Sequence, residues 1–187
     1  CPCETPEGHS VGIVKNLALS TIITDHIDDY HIYDIIRSFE GFVSTDNMVV
    51  GDIEKYLKVL LNGNLIGFIE YNTDTYSKLI ECRRKGIIHI YTSISINEFE
   101  RLLEINSDAG RCIRALYIIQ DNKFSLDSKL IDHIKTSKMN WDNIILESIN
   151  NKPFIEFVDV QESNNLLIAY DQNKLKENKS YTHCELH

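Results

Sequence analysis

The chain reads as an α+β protein made of small antiparallel sheets with packed helices, and three observations carry that expectation. Asn62-Gly63 lies between the apolar runs LKVLL and NLIGFIE, and both residues of a tight hairpin turn must accept positive φ, which Asn-Gly does best. The stretch NTDTYSKLIECRRKG has helical spacing, whereas IIHIYTSISI alternates as a strand does. The resulting order is strand, strand, helix, strand, strand, strand, which puts one helix on an antiparallel sheet. At 187 residues and 43% hydrophobic content, the chain has material for one or two such cores.

The elements follow in order. Pro2, Pro6, Gly8 and Gly12 punctuate an N-terminal loop, since Pro fixes φ and Gly tolerates positive φ, and the loop runs into the apolar stretch Val14 to Ile23. A helix is expected from about Asp28 to Phe39, ended by Gly41. After the Asn62-Gly63 hairpin, Asn72 or Thr73 caps the next helix, Tyr76, Leu79 and Ile80 share its face, and Gly86 ends it. Arg83, Arg84 and Lys85 suit the negative end of its dipole and read as a solvated helix end. In the following strand Ile88, Ile90, Thr92, Ile94 and Ile96 fall on one face. Ser107-Asp108-Ala109-Gly110 suits a turn joining LLEIN to RCIRALYII as a second hairpin. Beyond a polar linker from about Asn122 come the helices SLDSKLIDHIKTS and WDNIILESI, with Asp142 near the start of the second, and the strands PFIEFVDV and NLLIAY. No internal repeat is present.

Composition bounds the function. The formal charge of −9 is wrong for an autonomous nucleic-acid binder, which carries a basic stripe to neutralise phosphates. Five cysteines, Cys1, Cys3, Cys82, Cys112 and Cys184, form an odd set without disulfide-framework spacing, which fits a reducing compartment. No apolar run reaches the roughly 18 residues needed to span a bilayer. Asp25, Asp28 and Asp29 lack the Gly-rich context of a metal loop and read as a solvated face.

The segment CPCETPEGHSVGIVKNLALS resembles a signature of the second-largest subunit of multisubunit RNA polymerases, CPxETPEGxxxGLVKNLA. Three further matches keep the family order: VLLNGNLIG beside VFVNGVWVG, IECRRKG beside LRRKG, and INSDAGRCIRAL beside IFTDAGRxxRPL. Ser107 replaces the usual Thr, and Ala115 stands where the family commonly has Pro. FIEFVDV is similar to the family's LVEYIDA, and THCELH to THCEIHPS. Because the chain opens inside one motif and stops inside another, an internal fragment is expected. Lys15 and Asn16 match the eukaryotic, archaeal and viral form of the signature, and the Ile- and Asn-rich composition suits a large DNA virus or a protist as source.

The resemblance implies four parts. Residues 1–52 end a fork-type core region, 53–121 form an external α+β domain, 122–180 form a small helix-plus-strands domain, and 181–187 begin the hybrid-binding core. It implies a DNA-directed RNA polymerase, a nucleotidyltransferase, whose full complex polymerises ribonucleotides on DNA while this fragment alone is inactive. The implied cofactor is Mg²⁺, held mainly by the largest subunit, so no catalytic residue and no metal ligand is assigned here. The implied partners are the other polymerase subunits, chiefly the largest, with DNA template and RNA transcript. The implied location is nucleus or cytoplasm, or a viral factory or virion for a viral source. Carried over by position, Pro6, Glu7 and Ser10 are transcript-proximal. Glu4, Gly8, Gly12, Lys15, Asp108, Gly110 and Arg111 are motif residues with structural roles. The opposing reading of ETPEG is a rigid loop held by its own hydrogen bonds.

Two alternatives come from other classes. The acidic α+β unit could be a free-standing protein-interaction module. Cys1, Cys3 and His9 at one end, with His183, Cys184 and His187 at the other, supply ligand types that zinc prefers, although Cys-x-Cys is tighter than usual zinc spacing. Arg111 and Arg114 fit structural ion pairs better than phosphate contacts.

Overall fold

Two sheets with separate cores organise the chain, which a computed structural model describes over residues 4–48, 50–71, 73–120, 123–124, 128–136, 140–150, 153–176 and 180–186. The elements begin with β1 (Ile22–Ile23), α1 (Tyr30–Ser38), β2 (Phe42–Ser44), β3 (Tyr56–Leu61), β4 (Asn64–Glu70) and α2 (Thr73–Arg84). β5 (Ser93–Asn97), β6 (Leu102–Asn106), β7 (Cys112–Gln120) and β8 (Lys123–Phe124) follow. The last are α3 (Ser128–Lys135), α4 (Trp141–Asn150), β9 (Ile155–Asp159), β10 (Ile168–Ala169) and β11 (His183–Glu185). The α+β class expected from the sequence is the class found.

The first sheet has the order β2-β4-β3-β6-β5. Asn62 (φ 49°) and Gly63 (φ 78°) both take positive φ and close the β3–β4 hairpin as expected. The pair β3–β6 is parallel, with Val59 opposite Leu103, whereas the other pairs of this sheet are antiparallel. Ile32 and Ile36, one helical turn apart on α1, and Leu79 of α2 join Leu57, Val59, Ile69, Ile94, Leu103 and Ile105 in one buried cluster. Two helices therefore cover this sheet's apolar face where the sequence suggested one.

The second hairpin expected at Ser107–Gly110 does not form. β6 already has β3 on one edge and β5 on the other, so no edge is left for β7. β7 instead becomes the central strand of the six-stranded sheet, pairing with β1, β8, β9 and β11. Its apolar run CIRALYII is buried along most of its length, which suits a central position. Separate small clusters form here, one around Ile113, Ala115 and Phe157 and another around Ile119, Ala169, Leu175 and Cys184.

A further correction concerns residues 88–92. The regular strand starts only at Ser93, because the chain turns beforehand through Thr92 N–H donating to the His89 carbonyl at 2.9 Å. Ile88 is buried in the first core, while Ile90 packs in the Phe157 cluster, so the two do not share a sheet face. Of the two cap candidates for α2, Thr73 is its first residue and Asn72 lies outside the described residues.

Candidate functional site

The ETPEG segment is a surface loop. Gly8–Ser10 form a single 3-10 turn, closed by Val11 N–H donating to the Gly8 carbonyl at 3.2 Å. Gly8 (φ 86°) and Gly12 (φ 77°) adopt left-handed backbone, with nothing within 4 Å of where a Cβ would sit, so φ rather than crowding calls for glycine at both. Asn16 Nδ2 donates to the Glu4 carbonyl at 2.7 Å, and Gly12 N–H donates to Thr5 Oγ1 at 3.4 Å. Pro6 is half-buried, and Glu4, Glu7, Ser10 and Lys15 are exposed. Val11, Ile13, Val14, Leu17 and Leu19 also face solvent, which is an apolar load unusual for a polar loop.

Thr24 anchors the far end of this segment and is 3% exposed. Its N–H donates to the Arg111 carbonyl at 3.0 Å, its hydroxyl donates to the Asp108 carbonyl at 3.0 Å, and it accepts from Arg111 N–H at 3.1 Å. Gly110, with φ 84°, donates to the Thr24 carbonyl at 2.8 Å. The SDAGR turn thus holds the strand leaving the N-terminal loop, rather than joining two strands of one sheet. The Arg111 guanidinium reaches the Tyr91 carbonyl at 2.8 Å and Asp159 at 3.4 Å. Arg114 pairs with Glu185.

A buried charge cluster continues from there. Asp159 Oδ1 accepts from Glu162 N–H at 2.8 Å. The Glu162 carboxylate receives Arg83 through two hydrogen bonds of 2.7 and 2.5 Å, and Arg83 also donates to Glu156 at 2.7 Å and to the Thr92 carbonyl at 2.7 Å. Glu156 further accepts from Arg84 at 2.7 Å and sits 2.9 Å from His183 Nε2. The expected solvated helix end is therefore wrong for Arg83, which is 2% exposed, and for the partly buried Arg84. Only Lys85 of the three stays in water, paired with Glu81 one helical turn back.

Burial alone would raise Glu156, but Arg83, His183 and Arg84 together hold its carboxyl well below the usual value. Burial dominates at Glu162 and pushes it up despite Arg83. Burial, reinforced by Glu162, moves Tyr76 up to about 12.

These groups make a structural network rather than a catalytic one. Each carboxylate is occupied by cations, and no nucleophile lies among them. Sequence reasoning missed Glu156 and Glu162, and read His183 only as a zinc-type ligand, because their partners lie 27 to 79 residues away. The one available signal was charge inside the apolar run FIEFVDV.

His183 and Cys184 are neighbours on β11 and diverge, the first toward Glu156 and the second into the Ile119 cluster. That divergence separates two ligands of the zinc reading, whose Cys1, Cys3 and His187 lie outside the described residues. Among the described residues no group of three or more His, Cys, Asp or Glu side chains converges as metal ligands.

Comparison with known proteins defines the class. Residues 59–120 match the family described as RNA polymerase Rpb2, domain 4, and residues 1–23 match RNA polymerase Rpb2, domain 3. The whole chain is 30% identical to DNA-directed RNA polymerase II subunit RPB2 of Encephalitozoon cuniculi, of which it covers 17%. It is 31% identical to DNA-directed RNA polymerase subunit Rpo2 of Sulfolobus acidocaldarius, covering 17% of that protein, and 32% identical to DNA-directed RNA polymerase III subunit RPC2 of Schizosaccharomyces pombe, covering 16%. The full length of the chain aligns in all three. The chain is similar along its whole length to RNA polymerase second-largest subunits and corresponds to about one-sixth of the length of these relatives.

Proposed function

We propose that this chain acts as part of the second-largest subunit of a DNA-directed RNA polymerase, whose assembled complex carries out template-dependent ribonucleotide polymerisation. Alignment of the whole chain with such subunits carries the reading. The exposed ETPEG loop, fixed at its far end by Thr24 and the SDAGR turn, supports it, because a loop that approaches the transcript needs a rigid base and a free face. Pro6, Glu7 and Ser10 are the transcript-proximal residues, while Glu4, Gly8, Gly12 and Lys15 shape the loop and Asp108, Gly110 and Arg111 hold its base. The four-part division at residues 52, 121 and 180 is kept as part of this reading and is distinct from the sheet boundary, since α1 and β2 pack with the first sheet and β7 belongs to the second.

The partners are the other polymerase subunits, the largest above all, with template and transcript. Mg²⁺ belongs to the assembled enzyme, where it supports phosphoryl transfer by neutralising charge on the triphosphate. The chain's own residues supply shape and anchoring. A nuclear or cytoplasmic enzyme fits this reading, and a viral source is its narrower form.

The test is to tag the full-length protein in its source, purify what accompanies it and assay ribonucleotide incorporation on a DNA template. Incorporation that depends on template, with a largest-type subunit in the preparation, is expected. A pure complex with no incorporation would overturn the proposal.

A further inference from the structure

The two sheets do not share a hydrophobic core. Every buried member of the cluster around Val59 and Leu103 comes from residues 32–105, and those of the Phe157 and Leu175 clusters come from residues 113–184. Between them runs a seam tied mainly by polar contacts, beside which Ile90 and Tyr91 pack against the Phe157 cluster. Arg83 and Arg84 reach Glu156 and Glu162 across it. Asn165 brackets β5, accepting from Ile96 N–H at 3.1 Å and donating to the Ile96 carbonyl at 2.6 Å. Ile94 N–H donates to Glu162 at 3.3 Å, and Arg111 donates to the Tyr91 carbonyl. A small cavity lined by Arg83, Ile90, Ile149, Glu156 and Phe157 lies along the same seam, so packing there is incomplete.

We infer that this seam is a joint able to open as one unit, and that Arg83 is its latch. Bodies joined by polar contacts move relative to one another unless specific contacts fix them, whereas a shared apolar core would not part. Arg83 is suited to the task. It is the side chain that bonds both buried carboxylates, and its fixed planar fork meets Glu162 through two parallel bonds. Glu156, carried on β9 and held also by His183, stays with the second sheet when the latch releases, while α2 leaves with the first and takes Arg84 with it. Opening would carry residues 30–106 away from the sheet that anchors the N-terminal loop through β1. The inference goes beyond the polymerase reading and does not depend on it.

Hydrogen–deuterium exchange on the full-length protein in its native assembly tests the joint, with Arg83→Lys, Glu162→Gln and Asn165→Ala beside the wild type. Arg83→Lys keeps the charge and loses the fork, Glu162→Gln keeps the shape and loses the charge, and Asn165→Ala breaks the seam elsewhere. All three are expected to speed exchange of the same peptides, 91–97 and 161–166, by roughly tenfold or more, with 57–61 and 113–118 inside the cores unchanged. A variant that does not fold is replaced by the other two, since any two suffice. Faster exchange confined to each variant's own contacts would overturn the joint. An equal rise in seam and cores would overturn it as well, because the cluster would then support the fold as a whole.

Discussion

Arg83 and Glu162 lie 79 residues apart in the chain and meet through two hydrogen bonds inside the protein, with side chains 2% and 1% exposed. The guanidinium cannot shed its charge, so everything around it must answer that charge. Glu162, Glu156 and the Thr92 carbonyl do so. Its Nε has no partner among the described residues, which leaves the cluster slightly under-satisfied.

Removing the cation should therefore cost more than removing an exposed one. Arg83→Ala leaves Glu162 buried without its main cation, and a loss of about 3–5 kcal/mol is expected from denaturant unfolding. Lys85→Ala, at a solvated pair with Glu81, should change stability far less. Equal losses from the two would show that Arg83 is not held as described.

The same cluster sets an acid response. Glu156 is held below the ordinary 4.5, so its contribution is complete above pH 4.5 and is lost as pH falls through its lower folded value. Glu162 is raised, so its contribution has the opposite sense: present below 4.5 and lost as pH rises through its folded value. Unfolding midpoints from about pH 2 to 7 should fall steeply on the acid side for the wild type. Glu156→Gln should flatten that fall, and Glu162→Gln should leave it in place. An acid limb unchanged in Glu156→Gln would assign the response to other carboxylates.

Much of the fold is legible because the signals are local. Asn62-Gly63 demands two positive φ angles, and α2 announces itself by the spacing of Tyr76, Leu79 and Ile80 with Gly86 beyond. The parallel β3–β6 pairing and the departure of β7 to the second sheet are not legible. CIRALYII would be equally at home in either sheet, and only the occupied edges of β6 decide between them. Arg83 escaped for a similar reason. Arg-Arg-Lys at a helix end suits water and a buried cluster alike, and the carboxylates that settle the matter are supplied by β9 and the turn after it.

Gly67 shows a close approach that the sequence does not flag. A Cβ there would lie 2.5 Å from the Phe42 ring and 2.7 Å from the Val43 carbonyl oxygen. The ring could swing aside, but the carbonyl belongs to the paired strand β2. Gly67→Ala should cost about 1–3 kcal/mol in unfolding free energy and loosen β2 from β4, seen as faster amide exchange at Phe42 to Ser44. Wild-type stability in this variant would mean that β2 does not sit as close as described.

Asn62 joins the hairpin to the rest of the molecule. Its side-chain oxygen accepts Ser107 N–H at 2.7 Å, its amide donates to Ser107 Oγ at 3.0 Å and Asp29 at 3.3 Å, and its own N–H donates to the Ile105 carbonyl at 2.9 Å. Ser107 is fully buried, so its N–H has no access to water if Asn62 is lost. Asn62→Gly keeps the positive φ and removes only the side-chain bonds, whereas Asn62→Ala adds backbone strain to the same loss. Asn62→Gly is expected to cost about 1–3 kcal/mol for the orphaned donor, with Asn62→Ala about 1 kcal/mol worse. If Asn62→Gly proved neutral, turn geometry alone would account for Asn62. The link to Ser107, and through it to the turn that holds Thr24, would then carry no energy.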